Sequence, residues 1–246
     1  MDRMIYTALT SMNAAMDRQR AVANNLANAS TPGFRQELFA VTPATLKDGS
    51  IEARAMARGL VRGADLTTAR VIPTGRPLDI AVQGNALIAL QGPAGEVYSR
   101  RGDLSVAASG VLENGDGLPV LGEGGGPISV PAGFSIAVAG DGTILANDPA
   151  APREPAQVLD RIKLVSPEGS QIAKGVDSFL KVPNGGVLPP DPTARVTPGS
   201  LEQSNVETAE TLVQMIDAQR AFEQRAKIIR TANDLDEASS RLMGLR

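Results

Sequence analysis

Three aspartates, Asp79, Asp103 and Asp141, carry the side chains of this sequence best suited to bond cleavage. Paired carboxylates, one protonated and one ionised, hydrolyse glycosidic bonds, so Asp79 with Asp103 or Asp141 is a conceivable hydrolytic dyad. Asp141 precedes Gly142 as a turn residue would, and the middle of the chain has few aromatic rings to carry a sugar, so the bland reading is preferred. The rest of the repertoire is narrower still. The chain has no His, Cys or Trp, which removes His-based triads, thiolate nucleophiles, thiolate and imidazole zinc sites and disulfides together. No catalytic residue, cofactor or metal is expected.

Other residues recur at spacings that suit packing or binding rather than reaction. Asn24, Asn25 and Asn28 crowd the end of a helical pattern. Their simplest role is capping, but three such residues on a well-patterned helix favour hydrogen bonds to a partner helix or a neighbouring subunit. Met12 with Met16, and Phe222 with Ile229, read as seam packing, where methionine adapts to more than one environment. Arg54, Arg58 and Arg62 recur every fourth residue and would make a basic face on a helix. Gly59 and Gly63 weaken that helix, so a solvated surface is the better reading.

The 246 residues carry 24 basic and 27 acidic side chains, a net charge of −3 and a pI near 5.2. No basic field exists to hold nucleic acid or an anionic membrane, so the expected partners are proteins. No stretch approaches the roughly 20 apolar residues of a membrane span, and Met1 to Ser11 lacks the basic and apolar runs of a secretory signal. Export, if it occurs, is expected without signal cleavage. The absence of thiols leaves the redox compartment open.

The elements follow from where helix breakers lie. All 17 prolines fall from Pro32 to Pro198, and 24 of 25 glycines from Gly33 to Gly199. Because Pro and Gly cost a helix about 3 and 1 kcal/mol, the two ends are predicted to be helical and the middle is not. Ile5, Leu9, Met12, Met16, Gln19, Ala23 and Leu26 step by four and three, the spacing of a coiled-coil seam. Pro32 and Gly33 stop that helix near Asn28 to Thr31. At the other end, Ser204 and Glu207 have capping-box spacing. Beyond them Leu212, Met215, Ile216, Gln219, Phe222, Ala226, Ile229, Ala232, Leu235 and Leu242 form an apolar stripe, with Glu223–Lys227 and Glu237–Arg241 as helical pairs.

Between the ends, short β-branched runs are cut by turn dipeptides such as Asn114–Gly115, Asp141–Gly142 and Asn184–Gly185. They include 78–82, 86–90, 104–106, 134–138, 143–145 and 161–165. The expected fold class is α+β, with N- and C-terminal helices paired as a coiled-coil-like hairpin and a central all-β domain. The expected division is a helix over 1–31, an extended or β connecting segment over 32–75, a β domain over 76–198 and a helix over 199–246. A two-helix hairpin covers only part of its apolar stripes. The remainder is expected to be buried against other copies, with the ends becoming helical on assembly.

The run Asn24-Asn25-Leu26-Ala27-Asn28-Ala29-Ser30-Thr31-Pro32-Gly33-Phe34-Arg35 resembles the N-terminal signature of flagellar rod and hook proteins. Gly199 to Glu207, with Ser204, Asn205 and Val206, followed by Met215-Ile216 and Gln219 to Phe222, resembles the family's C-terminal signature. Arg76 to Val82, Tyr98 to Leu104 and Val120 to Ile128 resemble its middle. The length and the opening Met1 to Ala8 resemble a proximal rod member, with a distal rod member as the alternative. The resemblance implies a periplasmic axial component of the basal body that transmits torque from motor to hook. Its implied partners are copies of itself, other rod proteins and the flagellar type III export apparatus, which delivers it unfolded. Gly244-Leu245-Arg246 is less apolar than the family's usual ending. A cell-wall hydrolase and a secreted β-domain adhesin are the readings from other classes.

Overall fold

The computed structural model describes residues 2–48, 51–151, 153–175 and 177–243, and their side chains except at 2–6, 42–48, 51–62, 235–237 and 239–243. The first helix, α1 (Asp2–Ala27), is free of Gly and Pro and gives way to a turn. In that turn Thr31 N–H donates to the Asn28 carbonyl at 3.1 Å, and Phe34 N–H to the Thr31 carbonyl at 3.3 Å. Two long strands follow, β1 (Glu37–Asp48) and β2 (Ile51–Ala64), paired as a sheet of their own.

Short strands make up the middle: β3 (Val71–Pro73), β4 (Ile80–Val82), β5 (Leu87–Gly92), β6 (Gly95–Ser99), β7 (Ser105–Val106) and β8 (Leu112–Glu113). Then come β9 (Ser135–Val138), β10 (Thr143–Asn147), β11 (Gln157–Arg161), β12 (Leu164–Val165), β13 (Ala173–Lys174), β14 (Leu180–Lys181), β15 (Val196–Pro198) and β16 (Ser200–Glu202). The chain ends in α2 (Thr208–Met243), whose 36 residues make it roughly 54 Å long at 1.5 Å per residue.

The chain divides into two compact units. The first comprises residues 1–27, 37–62 and 207–246, which is α1, most of the β1–β2 pair and α2. The second comprises residues 28–36 and 63–206. In the second, β12-β5-β6-β14-β13 form one sheet and β11-β10-β9 another, while β15–β4, β16–β3 and β7–β8 are separate pairs. Strand β5 is buried on both faces, so its side chains serve two cores in alternation. Ile88 and Leu90 join Ile80, Leu104, Leu112, Val120, Ile144 and Ile162, whereas Leu87 and Ala89 join Tyr98, Val165, Leu180 and Leu188. Each large aliphatic removed from water this way contributes about 1.5 to 3 kcal/mol.

The expected fold class needs correction. Instead of one central all-β domain, the described strands fall into several small sheets. The helical part is also more than a coiled-coil-like hairpin, because α1 packs on β1 as well as on α2 within the first unit. The expected seam is only partly covered: Ala232 is buried and Met12, Met16, Leu26, Met215, Phe222 and Ile229 are half-buried. Leu9 is 46% exposed, Leu212 47% and Ile216 49%, and Ala23 is exposed too. The buried residues are Ala14, Ala15, Ala21, Val22 and Asn25 on α1, and Thr211, Ala218 and Ala232 on α2. Small side chains let neighbouring backbones approach, while Leu9, Leu212, Val213, Ile216 and Ile228 are left exposed.

Helix and strand boundaries were corrected in detail. Helix α2 starts at Thr208, where the Glu207 carbonyl accepts from Thr211 N–H at 2.9 Å. Ser204 is not its cap, since the Ser204 hydroxyl accepts from Val206 N–H at 3.2 Å. The run 161–165 is split between β11 and β12. Arg54, Arg58 and Arg62 lie in β2, not on a helix, and their side chains are outside the described residues.

Candidate functional site

Two stretches far apart in sequence, 24–37 and 199–206, contain the buried polar residues Asn25, Arg35, Ser200 and Glu202. At the end of α1, the Asn25 side-chain carbonyl accepts from Glu37 N–H at 2.8 Å, and its amide donates to the Glu37 carbonyl at 3.1 Å. Asn25 is thereby held like a strand partner, with both ends of its amide satisfied. Asn24 donates to the Glu37 carboxylate. The bonds expected to reach a partner helix or another subunit are thus made, for these two, to the first residue of β1. Asn28 accepts from the Thr31 hydroxyl at 3.2 Å.

Within the second unit the two stretches are joined directly. Gly33 N–H donates to the Glu202 carbonyl at 2.8 Å, and Asn205 N–H to the Phe34 carbonyl at 3.3 Å. The Asn205 side chain accepts from Gln36 N–H at 2.7 Å and donates to the Asp65 carbonyl at 2.9 Å. Gly33 has φ +66°, and a Cβ there would run into the Arg100 carbonyl, so only glycine fits this crossing. Lys174 donates to the Arg35 carbonyl at 2.6 Å while its ammonium lies 3.6 Å from the Phe34 ring centroid, a cation–π contact.

Glu202 is the centre of this junction. One carboxylate oxygen accepts from Arg35 Nη2 and from Ala69 N–H, both at 2.7 Å, and the other lies 2.8 Å from Arg100 Nε. The side chains of Arg35, Arg100 and Glu202 are 3%, 1% and 1% exposed. Arg100 also donates to the Gly84 carbonyl at 2.6 Å and to the Val82 carbonyl. Burial pushes the Arg100 guanidinium down to about 10; Glu202 opposes that fall, and Arg35 adds to it. Charges this dry persist only because each has a counter-charge or a carbonyl within reach. The arrangement is an electrostatic bolt: its three charged side chains are spent on one another and on backbone groups.

The conceivable hydrolytic carboxylates are engaged elsewhere. Asp103 is clamped by Arg101, through Nε at 2.8 Å and Nη2 at 2.9 Å. The Thr143 backbone N–H, aided by its hydroxyl, holds the Asp141 carboxyl below the usual range, the opposite of what a general acid needs. Asp79 is buried and lies 3.7 Å from Arg76 Nε.

The sequence-predicted positions fall in three groups. Gly33, Phe34 and Val206 are buried, with Thr31, Pro32, Ser204 and Asn205 half-buried beside them in the second unit. Met12, Met16, Leu26, Met215, Phe222 and Ile229 are half-buried on the helices. Leu9, Ala23, Leu212 and Ile216 are exposed. Ile5 belongs to α1, but its side chain, like those of Leu235, Glu237, Arg241 and Leu242, is outside the described residues, as are residues 244–246 altogether. Sequence reasoning missed Arg35, Arg100 and Glu202 as a set. Each lay inside a quoted motif, yet nothing in a linear sequence pairs positions 35, 100 and 202.

Three family profiles match. "Flagella basal body rod protein" covers residues 5–35, "Flagellar hook protein FlgE/F/G D1 domain" residues 81–146 and "Flagellar basal body rod FlgEFG protein C-terminal" residues 197–242. The chain is 36% identical over 252 residues to the flagellar basal-body rod protein FlgF of Salmonella typhimurium, with all of both chains covered. It is 38% identical to the FlgF of Escherichia coli strain K12, again over the whole of both. The chain belongs to the FlgF family of flagellar basal-body rod proteins. The related rod protein FlgG of Bacillus subtilis is more distant, at 25% over 265 residues, covering 95% of this chain and 96% of its own. Each of the three rod-family segments supplies one member of the buried bolt: Arg35, Arg100 and Glu202.

Proposed function

We propose that this chain is a structural, non-enzymatic subunit of the proximal flagellar rod, bound to copies of itself and to other rod proteins and passing torque from motor to hook. The full-length similarity to FlgF proteins carries the reading, and it is preferred to the distal rod because the FlgG relatives are less similar. The residues proposed to meet neighbouring subunits are the apolar positions that the first unit leaves in water: Leu9 on α1, and Leu212, Val213, Ile216 and Ile228 on α2. Filament contacts of this kind are heterologous and need not close. Among the described residues no helix is long and apolar enough to cross a membrane. Delivery to the periplasm by the flagellar type III export apparatus, without signal cleavage, completes the proposal.

The engagement of Asp103 by Arg101 weighs against the hydrolase reading. The test is a deletion strain complemented with a tagged chain: motility should return and isolated basal bodies should carry the tag along the rod segment nearest the motor. Recovery of motility with label only in the hook-proximal rod would move the assignment to the distal rod. Absence of the chain from basal bodies would defeat the reading altogether.

A further inference from the structure

The second unit is closed by residues that come near the end of the chain. Strand β15 pairs with β4, placing Val196 opposite Val82 and Pro198 opposite Ile80. Strand β16 pairs with β3, placing Ser200 opposite Pro73 and Glu202 opposite Val71. Gly199 N–H donates to the Asp79 carbonyl at 2.7 Å, Gln203 N–H to the Arg70 carbonyl at 2.9 Å and Val196 N–H to the Gly140 carbonyl at 3.0 Å. The Gly33 N–H, the Phe34 carbonyl and the Gln36 N–H are bonded to Glu202 and Asn205.

Without this segment the unit would hold two dry guanidiniums, Arg35 and Arg100, with no carboxylate between them, together with two unpaired short strands. Unpaired buried charge is among the most destabilising states available to a fold, and two-residue and three-residue strands have little stability alone. We infer that residues 196–206 act as a clasp: the second unit stays open until they are seated, and then closes in one step. Because a chain is made N-terminus first, its synthesis reaches Glu202 only after the 201 residues before it, and with them β3 to β15, have been made. Through most of its synthesis the chain therefore remains open. This deepens the proposed export role and rests on it only there: an open chain is what passage through a narrow apparatus requires.

Native-state hydrogen exchange on the full chain, in rising sub-denaturing urea, tests the clasp. The clasp amides are Gly33, Gly199 and Gln203, and the core amides are Ala89, Leu112 and Ile162, bonded to Lys163, Ile128 and Gly142 carbonyls. Both sets should exchange through the same opening, with equal protection and equal urea dependence. Clasp amides exchanging through a smaller opening, while core amides keep their protection, would overturn the inference. Glu202→Gln in the full chain adds a second reading: protection should fall in both sets together, and a loss confined to the clasp would also overturn it. Should that variant not fold at all, the wild-type comparison decides. Absence of the chain from basal bodies would end the export reading and leave the exchange result intact.

Discussion

Glu202 holds two buried arginines, so its removal leaves both guanidiniums without their carboxylate. Glu202→Gln should lower stability by about 3 to 5 kcal/mol, the range for breaking a buried pair from one side, read as a fall in the urea midpoint. Arg35→Met should cost less, about 1 to 3 kcal/mol, because Glu202 keeps Arg100 and the Ala69 N–H. Tyr98 gives a pH signature. Its hydroxyl accepts from Leu188 N–H at 2.7 Å, and burial raises the phenol from 10.0 to about 12. The folded form is the weaker acid, so the phenol's contribution is complete below pH 10 and is lost as pH rises toward 12. By linkage that loss is about 2 kcal/mol, and it should appear as the difference between wild type and Tyr98→Phe in unfolding measured across that window. These residues were poorly legible beforehand. A buried Tyr or Glu is recognisable only once a partner some 90 or 170 positions away is known to be adjacent.

Elements were legible to the extent that their signals are local. The absence of Pro and Gly marked both helices, and turn dipeptides with β-branched runs marked β4, β5, β9 and β10, because these signals act within a few residues. The stretch 32–75 reads as extended or β, but nothing in it sets the bounds or the pairing of β1 and β2. In 51–62, Ile51, Ala53, Ala55, Ala57, Gly59 and Val61 alternate with larger or charged residues, a period of two that alanine's weak strand preference disguised. The spacing of four that Arg54, Arg58 and Arg62 share fits one side of a helix, but being even it fits a strand's period of two equally well. The helical seam is legible only in part: Ala232 of the expected stripe is buried, whereas Ala14, Ala21 and Ala218, buried as well, lie off the expected positions. It follows that Ala218→Leu should be the damaging change on α2, overpacking a tight contact by about 1 to 3 kcal/mol, measurable by thermal unfolding of the helical signal. Asn25→Ala should loosen the exit of α1 by about 1 to 3 kcal/mol, since the Glu37 N–H and carbonyl lose their partner.

At the scale of the molecule, what the single chain leaves unburied separates stability from assembly. A contact used inside the chain lowers the stability of the purified protein when removed; a contact reserved for a neighbour does not. Leu212 and Ile216 are about half exposed and lie one turn apart on α2, with Val213 beside them. Their replacement by serine should leave the unfolding midpoint of the purified chain within about 0.5 kcal/mol of wild type, as surface changes do. In a filament the same pair would be covered, each aliphatic contributing about 1.5 to 3 kcal/mol per contact, repeated at every subunit. Leu212→Ser with Ile216→Ser should therefore abolish swimming and remove the chain from isolated basal bodies while its folding curve is unchanged. Glu202→Gln should fail in the reverse order, with the purified chain already unstable. A serine pair that swims normally would mean that this face of α2 meets no neighbour, and the proposed subunit contact would have to be sought on another surface.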